Sequence, residues 1–438
     1  MGLVTMGDKL LSRGGKLLLA SILLNTVPIG YMNVVPLVYL TEIGYDPSVI
    51  GVIYAVSALS NAVGLIPMGF LADRYGRKWF IVVGSLIPCL SYAIFGLTLD
   101  SAWLIFASAL GGVGFAGGFA YAMGNPAIIP LLARSTSEGN RTTLFGLSQG
   151  IFTLGLSIGA LLSVVPAWLI RILGESSSAA HSASYFLMSG IVVASVLPLL
   201  FFVERRDTSP ISVPGTVASA VVDAPRRMRA GLRVSSWSVM AKLSAIFALT
   251  GLGLGTLVQL LPTWYALNFG VSEDTVGAWT ALANGASLII IPIIPVLVRR
   301  RGTLASSAAT GLAAAAFLAL MPIVGTFEGA AGLFVLRSVL EAMSWAILLS
   351  YTMGIVPELE RATATGITFT AWGVGATLGT YAGGLFLGDG LLTLPFVLGV
   401  ASYVAASLAL LAFFRGSKPP EELLVLGISR EIGRATDK

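Results

Sequence analysis

Gly69-Phe-Leu-Ala-Asp-Arg-Tyr-Gly-Arg-Lys78 gathers Asp73, Arg74, Arg77 and Lys78 into one short segment of a chain with little charge elsewhere. Apolar runs flank it, 49–72 before and 79–99 after. A helix needs about 20 mostly apolar residues to cross roughly 30 Å of hydrocarbon. Each run meets that length, so the segment reads as a turn between two spans, held at a membrane surface by its charges. Gly76 supplies the tight turn, because glycine adopts backbone conformations closed to other residues.

Working outward, ten more stretches share this character. The twelve are 17–41, 49–72, 79–99, 102–132, 143–170, 184–203, 243–268, 275–298, 303–324, 330–356, 363–387 and 393–414. Over 438 residues, 56% are hydrophobic and 11% charged, against roughly 25% charged in a soluble domain. That is too little charge to cover a water-facing surface, so a soluble reading is excluded. The single cysteine, Cys89, rules out an internal disulfide framework and any cysteine-based metal site. The single histidine, His181, rules out a HExxH metalloprotease or a histidine cage; it is expected in an exposed outer loop. Neither a metal nor a cofactor is expected, no P-loop is present, and no Ser/His or paired-Asp set suggests an enzyme.

Charge position orients the chain. With both termini cytosolic, every Lys and Arg except Arg171 and Arg337 falls at a cytosolic end or loop, as the positive-inside bias requires. The net charge of +5 is then a matter of topology, and no nucleic-acid partner is needed. The amino terminus reads as a cytosolic stub, and Asn140-Arg141-Thr142 as a cytosolic sequon that stays unglycosylated. The segment 204–241, with its arginines and Pro210 and Pro214, reads as a cytosolic linker, and 415–438 as a cytosolic tail.

The linker divides 1–203 from 242–414, and the two parts repeat. A shift of 226 residues superposes Lys16 on Lys242, Asn33 on Gln259, Pro36 on Pro262, Tyr39 on Tyr265, Gly44 on Gly270 and Gly76 on Gly302. A shift of 230 superposes Tyr121–Gly124 on Tyr351–Gly354, and one of 220 superposes Arg141 on Arg361, Gly155 on Gly375 and Gly159 on Gly379. Duplicated halves suit a transporter that rocks one half against the other around a central site. The paired glycines also allow close helix packing.

The segment from Gly69 to Lys78 resembles the signature loop of the major facilitator superfamily, Gly-x-x-x-Asp-Arg-x-Gly-Arg-Lys/Arg, at every defining position. A degenerate copy, Pro295-Val-Leu-Val-Arg-Arg-Arg-Gly302, has Arg299 where the first has Asp73. The resemblance implies an all-α membrane protein with the fold of that family: twelve transmembrane helices in two pseudo-symmetric six-helix bundles. It also implies a cytosolic gate of Gly69, Asp73, Arg74, Gly76, Arg77 and Lys78 acting against the start of the eleventh helix near Arg361. A helix amino terminus there favours a carboxylate. The fourth span, through Phe106–Gly114, lacks the arginine of many proton-coupled members. The fifth, Gly150–Gly159, lacks the proline common in family antiporters. The drug/proton antiporter reading is weakened by both departures. Monocarboxylate, sugar-porter and peptide-transporter signatures are not evident.

Two charged side chains lie deep in a span, Arg337 and Glu341. Glu341 is about 18 Å below Gly329 at 1.5 Å per residue, and Arg337 shares its helical face. Such charges are costly in a bilayer unless paired or hydrated. They form either a structural pair or a site at which Arg337 holds an anion or Glu341 takes up a proton. Polar and aromatic residues at similar depth complete the candidate cavity: Asn25, Tyr31, Asn33, Asn61, Gln149, Gln259, Asn284, Trp345, Trp372 and Tyr381. Asn33 and Gln259 stand out, each three residues before a proline that can bend its helix.

The expectation is a monomeric secondary transporter in the plasma or inner membrane, moving a small organic solute by alternating access with H+ as the coupling ion. Efflux of amphiphiles is placed ahead of uptake or exchange of an organic anion at Arg337. A non-transporting receptor or scaffold of the same fold is the rival from another class.

Overall fold

The computed structural model describes residues 12–114, 117–135, 141–202, 236–290, 293–357 and 360–415. Among them it is helical, with no strand. The first part of the chain contributes α1 Arg13–Met32, α2 Val35–Glu42, α3 Pro47–Tyr75, α4 Arg77–Leu97, α5 Ser101–Leu110, α6 Gly118–Arg134, α7 Arg141–Leu161, α8 Val164–Leu173 and α9 Ser177–Leu200. The second contributes α10 Trp237–Thr256, α11 Leu261–Phe269, α12 Glu273–Ile290, α13 Ile294–Arg301, α14 Thr303–Leu320, α15 Phe327–Ile355, α16 Arg361–Gly388 and α17 Leu394–Phe413. Most of the expected linker, the whole tail after Arg415 and the sequon asparagine, Asn140, lie outside the described residues. Helix α10 begins at Trp237, inside the segment expected as linker.

Each of the twelve expected spans falls on helix, but the count of twelve is not reached on length and hydropathy alone. Among the described residues, nine helical segments are long and apolar enough to cross a membrane, or ten if α12 and α13, which meet at 58°, form one span. Two expected spans fall short. Stretch 102–132 is divided into α5 and α6, with Gly111, Gly112, Gly114, Gly117 and Gly118 all at positive φ between or beside them. Stretch 363–387 is α16, which is 28 residues long but rich in threonine and glycine.

A break in a span frees backbone carbonyls, and a bilayer offers them no water. Neighbouring side chains satisfy them here. Tyr92 donates its hydroxyl to Gly112 O at 3.1 Å, Ser57 donates to Val113 O at 2.8 Å and Ser60 to Ala109 O at 2.8 Å. The other breaks follow the prolines. Pro36 and Pro262 sit in the first turns of α2 and α11, where a missing N–H costs least. Asn33 lies in the break before α2, and Gln259 in the 3-10 turn Val258–Leu260 before α11.

The internal repeat is a repeat of packing. Added carbons on Gly155 and Gly159 of α7 would overlap Thr26 and the Val27 carbonyl of α1. At the equivalent places, added carbons on Gly375 and Gly379 of α16 would overlap the Ala248 and Leu252 carbonyls of α10. In each part of the chain the glycine-bearing helix thus lies directly on the first helix, as small residues permit. Gly76 and Gly302 close equivalent turns at φ 109° and 81°. That end of the bundle is called the motif end, and the opposite one the far end.

The two parts meet along α3 against α16 and α7 against α12. Their contacts at the far end are tight. A carbon on Gly51 would stand 2.7 Å from Gly384 Cα, and one on Gly277 would overlap Ala160 and Ser163. Thr263 donates to Leu37 O at 3.3 Å, joining α11 to α2.

Candidate functional site

Toward the motif end the helices leave a cavity of about 450 Å³, within the range of ligand pockets, roughly 300–1,000 Å³. Helices α1, α4, α6 and α7 wall it on one side; Trp345 and Leu349 of α15 and Phe369 of α16 wall it on the other. Its chemistry is one-sided. Ser21, Asn25, Thr26, Ser85, Tyr121, Asn125, Ser148 and Gln149, all from the first part of the chain, carry the polar groups. The second part supplies an apolar face, where Trp345 packs edge-on to Phe369 at 6.0 Å and beside Trp372 at 6.1 Å. Among the described residues, none of the cavity's lining side chains is charged. The cavity can therefore hold a solute with a hydrogen-bonding edge and an apolar, ring-sized face without placing a fixed charge against it.

Of the candidates read from the sequence, Asn25, Gln149 and Trp345 line this cavity, and Trp372 supports its aromatic wall. The others lie elsewhere. Tyr31 is buried against Ser184 and Tyr185, because the face of α1 that carries it packs on α9. Asn33 and Asn284 share a separate cleft of about 30 Å³ with Tyr265 and Thr280. The Asn33 side-chain oxygen has no hydrogen-bond partner there. Gln259 is buried beside Gly114 in the break of the fourth span. Asn61 is half-buried outside the cavity, its Oδ1 also unpartnered. Tyr381 of α16 is 46% exposed and is not among the residues lining the central cavity. Tyr121 and Asn125 were missed. Tyr121–Gly124 was already marked by the repeat, and that signal pointed at the cavity wall.

Arg337 and Glu341 do meet, at 3.9 Å between Nη2 and Oε2. Arg337 also donates to the Tyr403 hydroxyl at 2.7 Å and lies over its ring at 5.1 Å. Arg337 is 3% exposed and does not line the central cavity. Glu341 opens on a small space of about 20 Å³ bounded by Thr250, Ser307, Ser344, Ser407 and Tyr403, room for about one water. Trp345 borders that space and the central cavity alike, so one indole separates the carboxyl from that cavity.

At the motif end, Lys78 donates to Leu200 O at 3.2 Å and Phe202 O at 2.6 Å. It thereby closes the carboxyl end of α9, a role within its own part of the chain. Arg74 lies over the Tyr75 ring at 5.6 Å, and Arg361 Nε donates to Val356 O at 3.4 Å. The Asp73 side chain, central to the expected gate, lies outside the described residues.

One expectation is overturned. His181 is not in an exposed loop; it is 2% exposed in α9. That helix starts at Ser177 under a Ser176 cap, one to two turns before the apolar run at which the span was expected to begin. Its imidazole stacks on Tyr39 at 3.6 Å and approaches Glu273 of α12 at 3.3 Å.

Comparison with known proteins agrees with this architecture. The nucleoside transporter NupG superposes with a TM-score of 0.66 at 15% identity, over 92% of this chain and 99% of that one. An uncharacterized MFS-type transporter, YcaD, of Salmonella paratyphi A is 25% identical over 370 residues, 77% of this chain and 85% of its own. Relatives from Yersinia match at 25%, and the chain spans 64% of their length. The 3-(3-hydroxy-phenyl)propionate transporter of Escherichia coli is 30% identical over 159 residues, 35% of this chain and 34% of its own. The family model for the Major Facilitator Superfamily matches residues 17–379 and 243–429. With a glycine-paired duplicate fold, an intact signature loop and that match over most of its length, this multi-pass membrane protein belongs to the major facilitator superfamily.

Proposed function

We propose that the protein is a secondary active transporter that moves a small, uncharged amphiphilic solute by alternating access. The observation that carries this reading is the central cavity: uncharged polar groups on one wall, aromatic rings on the other, and tight packing between the two parts at the far end. In the oriented membrane the motif end is cytosolic, so this arrangement faces the cytosol. The two parts, 1–203 and 242–414, are the bundles that rock, and Asp73 with the start of α16 forms the cytosolic latch when the motif end closes. The transporter acts as a monomer.

Coupling is assigned to Glu341, with H+ as the ion. Its carboxyl sits against one water-sized space, one indole away from the solute and beside a cation that can compensate it. Loss or gain of its proton changes the balance with Arg337, and Trp345 passes that change to the cavity wall. The second reading is transport of an aromatic carboxylate, which the similarity to the hydroxyphenylpropionate transporter favours; the aromatic wall accommodates its ring equally well. Arg337 gives that reading less support, since its guanidinium is already engaged by Tyr403 and Glu341.

Flux into proteoliposomes under an imposed pH gradient tests both. A neutral aromatic amphiphile that is driven by the gradient, and no longer driven in Glu341→Gln, is the expected result. Gradient-driven flux unchanged in that variant overturns the coupling assignment. Accumulation of an aromatic carboxylate alone, lost in Arg337→Gln, selects the second reading.

A further inference from the structure

The contact between His181 and Glu273 crosses from α9 to α12, from one part of the chain to the other, at the far end. Its geometry fixes the histidine tautomer. His181 Nδ1 lies 2.7 Å from the Ser177 carbonyl oxygen, and a carbonyl only accepts, so Nδ1 carries a hydrogen. Nε2 is the atom left to face Glu273 Oε1, at 3.3 Å, a charge contact that lacks hydrogen-bond geometry as the two groups stand. Without a proton between them, an imidazole lone pair would oppose a carboxylate. His181 is 2% exposed and Glu273 5%, so no water relieves that repulsion, and an unpaired buried charge is costly. With one proton the contact is favourable, whether the pair is imidazolium and carboxylate or imidazole and carboxylic acid. The proton belongs to the pair.

Aromatic and acidic groups surround the pair. Tyr39 of α2 stacks on the imidazole, an arrangement that stabilises a cation. Glu42 of α2 lies within electrostatic reach of Glu273 first, then of His181 and Asp274. Asp274 is itself occupied by Ser272 Oγ and the Thr275 N–H. The Tyr31 and Tyr185 hydroxyls are the remaining titratable groups on this side, and both feel Glu273. Glu273 opens α12, where the helix dipole favours its carboxylate.

We propose that His181 and Glu273 form a proton-binding site between the two parts of the transporter, and that the far end closes only with that proton bound. When α9 and α12 separate, both groups are hydrated and the shared proton is free to leave. Closure therefore takes up as much as one proton. The ratio of closed to open then falls by up to tenfold per pH unit as pH rises. This site is distinct from Glu341 and stands whether or not Glu341 carries the coupling proton.

The test uses the full chain with Cys89→Ser and spin labels at Leu99 and Leu391, exposed far-end positions on opposite parts. The short, closed distance should gain population as pH falls from about 8 toward 6.5, by up to tenfold per unit, and level off below about 6.5, where a hydrated histidine already holds the proton in the open state. Glu273→Gln should stay closed across that range, because its amide N–H donates to a bare Nε2 with no added proton. A distance distribution that ignores pH in the parent, or a slope that survives in Glu273→Gln, overturns the proposal. The chain has one histidine, so 15N signals of a histidine-labelled sample read the site directly, without a variant. Hydrogen on Nδ1 with a proton shared at Nε2 is expected; a bare Nδ1 refutes it.

Discussion

Gly51→Ala should change which face of the transporter is open and leave its fold intact. In the structure the added carbon would stand 2.7 Å from Gly384 Cα and 3.0 Å from the Thr380 carbonyl oxygen, while ordinary contact begins at 3.4 Å. Both obstacles are backbone and cannot rotate away, so α3 and α16 must part by about 0.7 Å where they cross. Overpacking of this kind costs about 1–3 kcal/mol. Because the clash exists only while the far end is closed, the cost falls on that state alone. The closed-to-open ratio should drop by about 5- to 150-fold. The assay is alkylation of Thr263→Cys in a Cys89→Ser background by a membrane-impermeant thiol reagent. Residue 263 is fully buried between the two parts of the chain, so its rate follows the far-end-open population. Alkylation should speed up by that factor, with thermal unfolding little changed. An unchanged rate, or a rate gain matched by a large loss of melting temperature, would refute the argument that this contact belongs to one access state.

Gly159→Ala and Gly379→Ala offer the contrast, since their carbons meet α1 and α10 within one part of the chain. Both should lower thermal stability by similar amounts, about 1–3 kcal/mol, without favouring either access state. Glu341→Leu leaves the buried Arg337 guanidinium uncompensated and should cost about 3–5 kcal/mol; adding Arg337→Met should regain most of it, as thermal unfolding would show. Asp46 caps α3 by accepting from the Ser48 N–H at 2.8 Å, and that bond holds its carboxyl below the usual carboxylate range. Its contribution is complete above the ordinary aspartate value and fades as pH falls through the lower folded one. A melting-temperature profile of Asp46→Ala should therefore lie below the parent at neutral pH and converge with it in acid. Asn125→Leu should raise the KM for a neutral amphiphile, with the melting temperature nearly unchanged.

The sequence was most legible where backbone chemistry forces a residue type. Gly76 and Gly302 were readable as turns because few other residues take their φ values, and Pro36 and Pro262 marked real breaks because proline cannot continue a helix ladder. The glycine pairs at 155 with 375 and 159 with 379 were legible as repeats, and the structure adds the carbonyl that each one meets. Which way a side chain faces was far less legible. Tyr31 and Asn25 sit on one helix at similar depth, yet one packs on α9 and the other lines the cavity; polarity at mid-depth does not distinguish them. Tyr381 was misplaced for the same reason. His181 was missed because Ser176–Ser184 has too little apolar character to read as a span, although its serine cap and alanines make a sound helix start.

The one-sided cavity has an evolutionary consequence. A duplicated gene begins with two identical walls, and here the copies keep paired glycines, the turns at Gly76 and Gly302 and the breaks before Pro36 and Pro262. Hydrogen-bonding serines, threonines and amides line the cavity from the first copy, while the second contributes Trp345, Leu349 and Phe369. If the cavity is the solute site proposed above, changes in the first copy redirect which solute is recognised, while changes in the second adjust how firmly any solute is held. Mechanical symmetry is retained by both copies, and chemical identity can drift in one without disturbing the other.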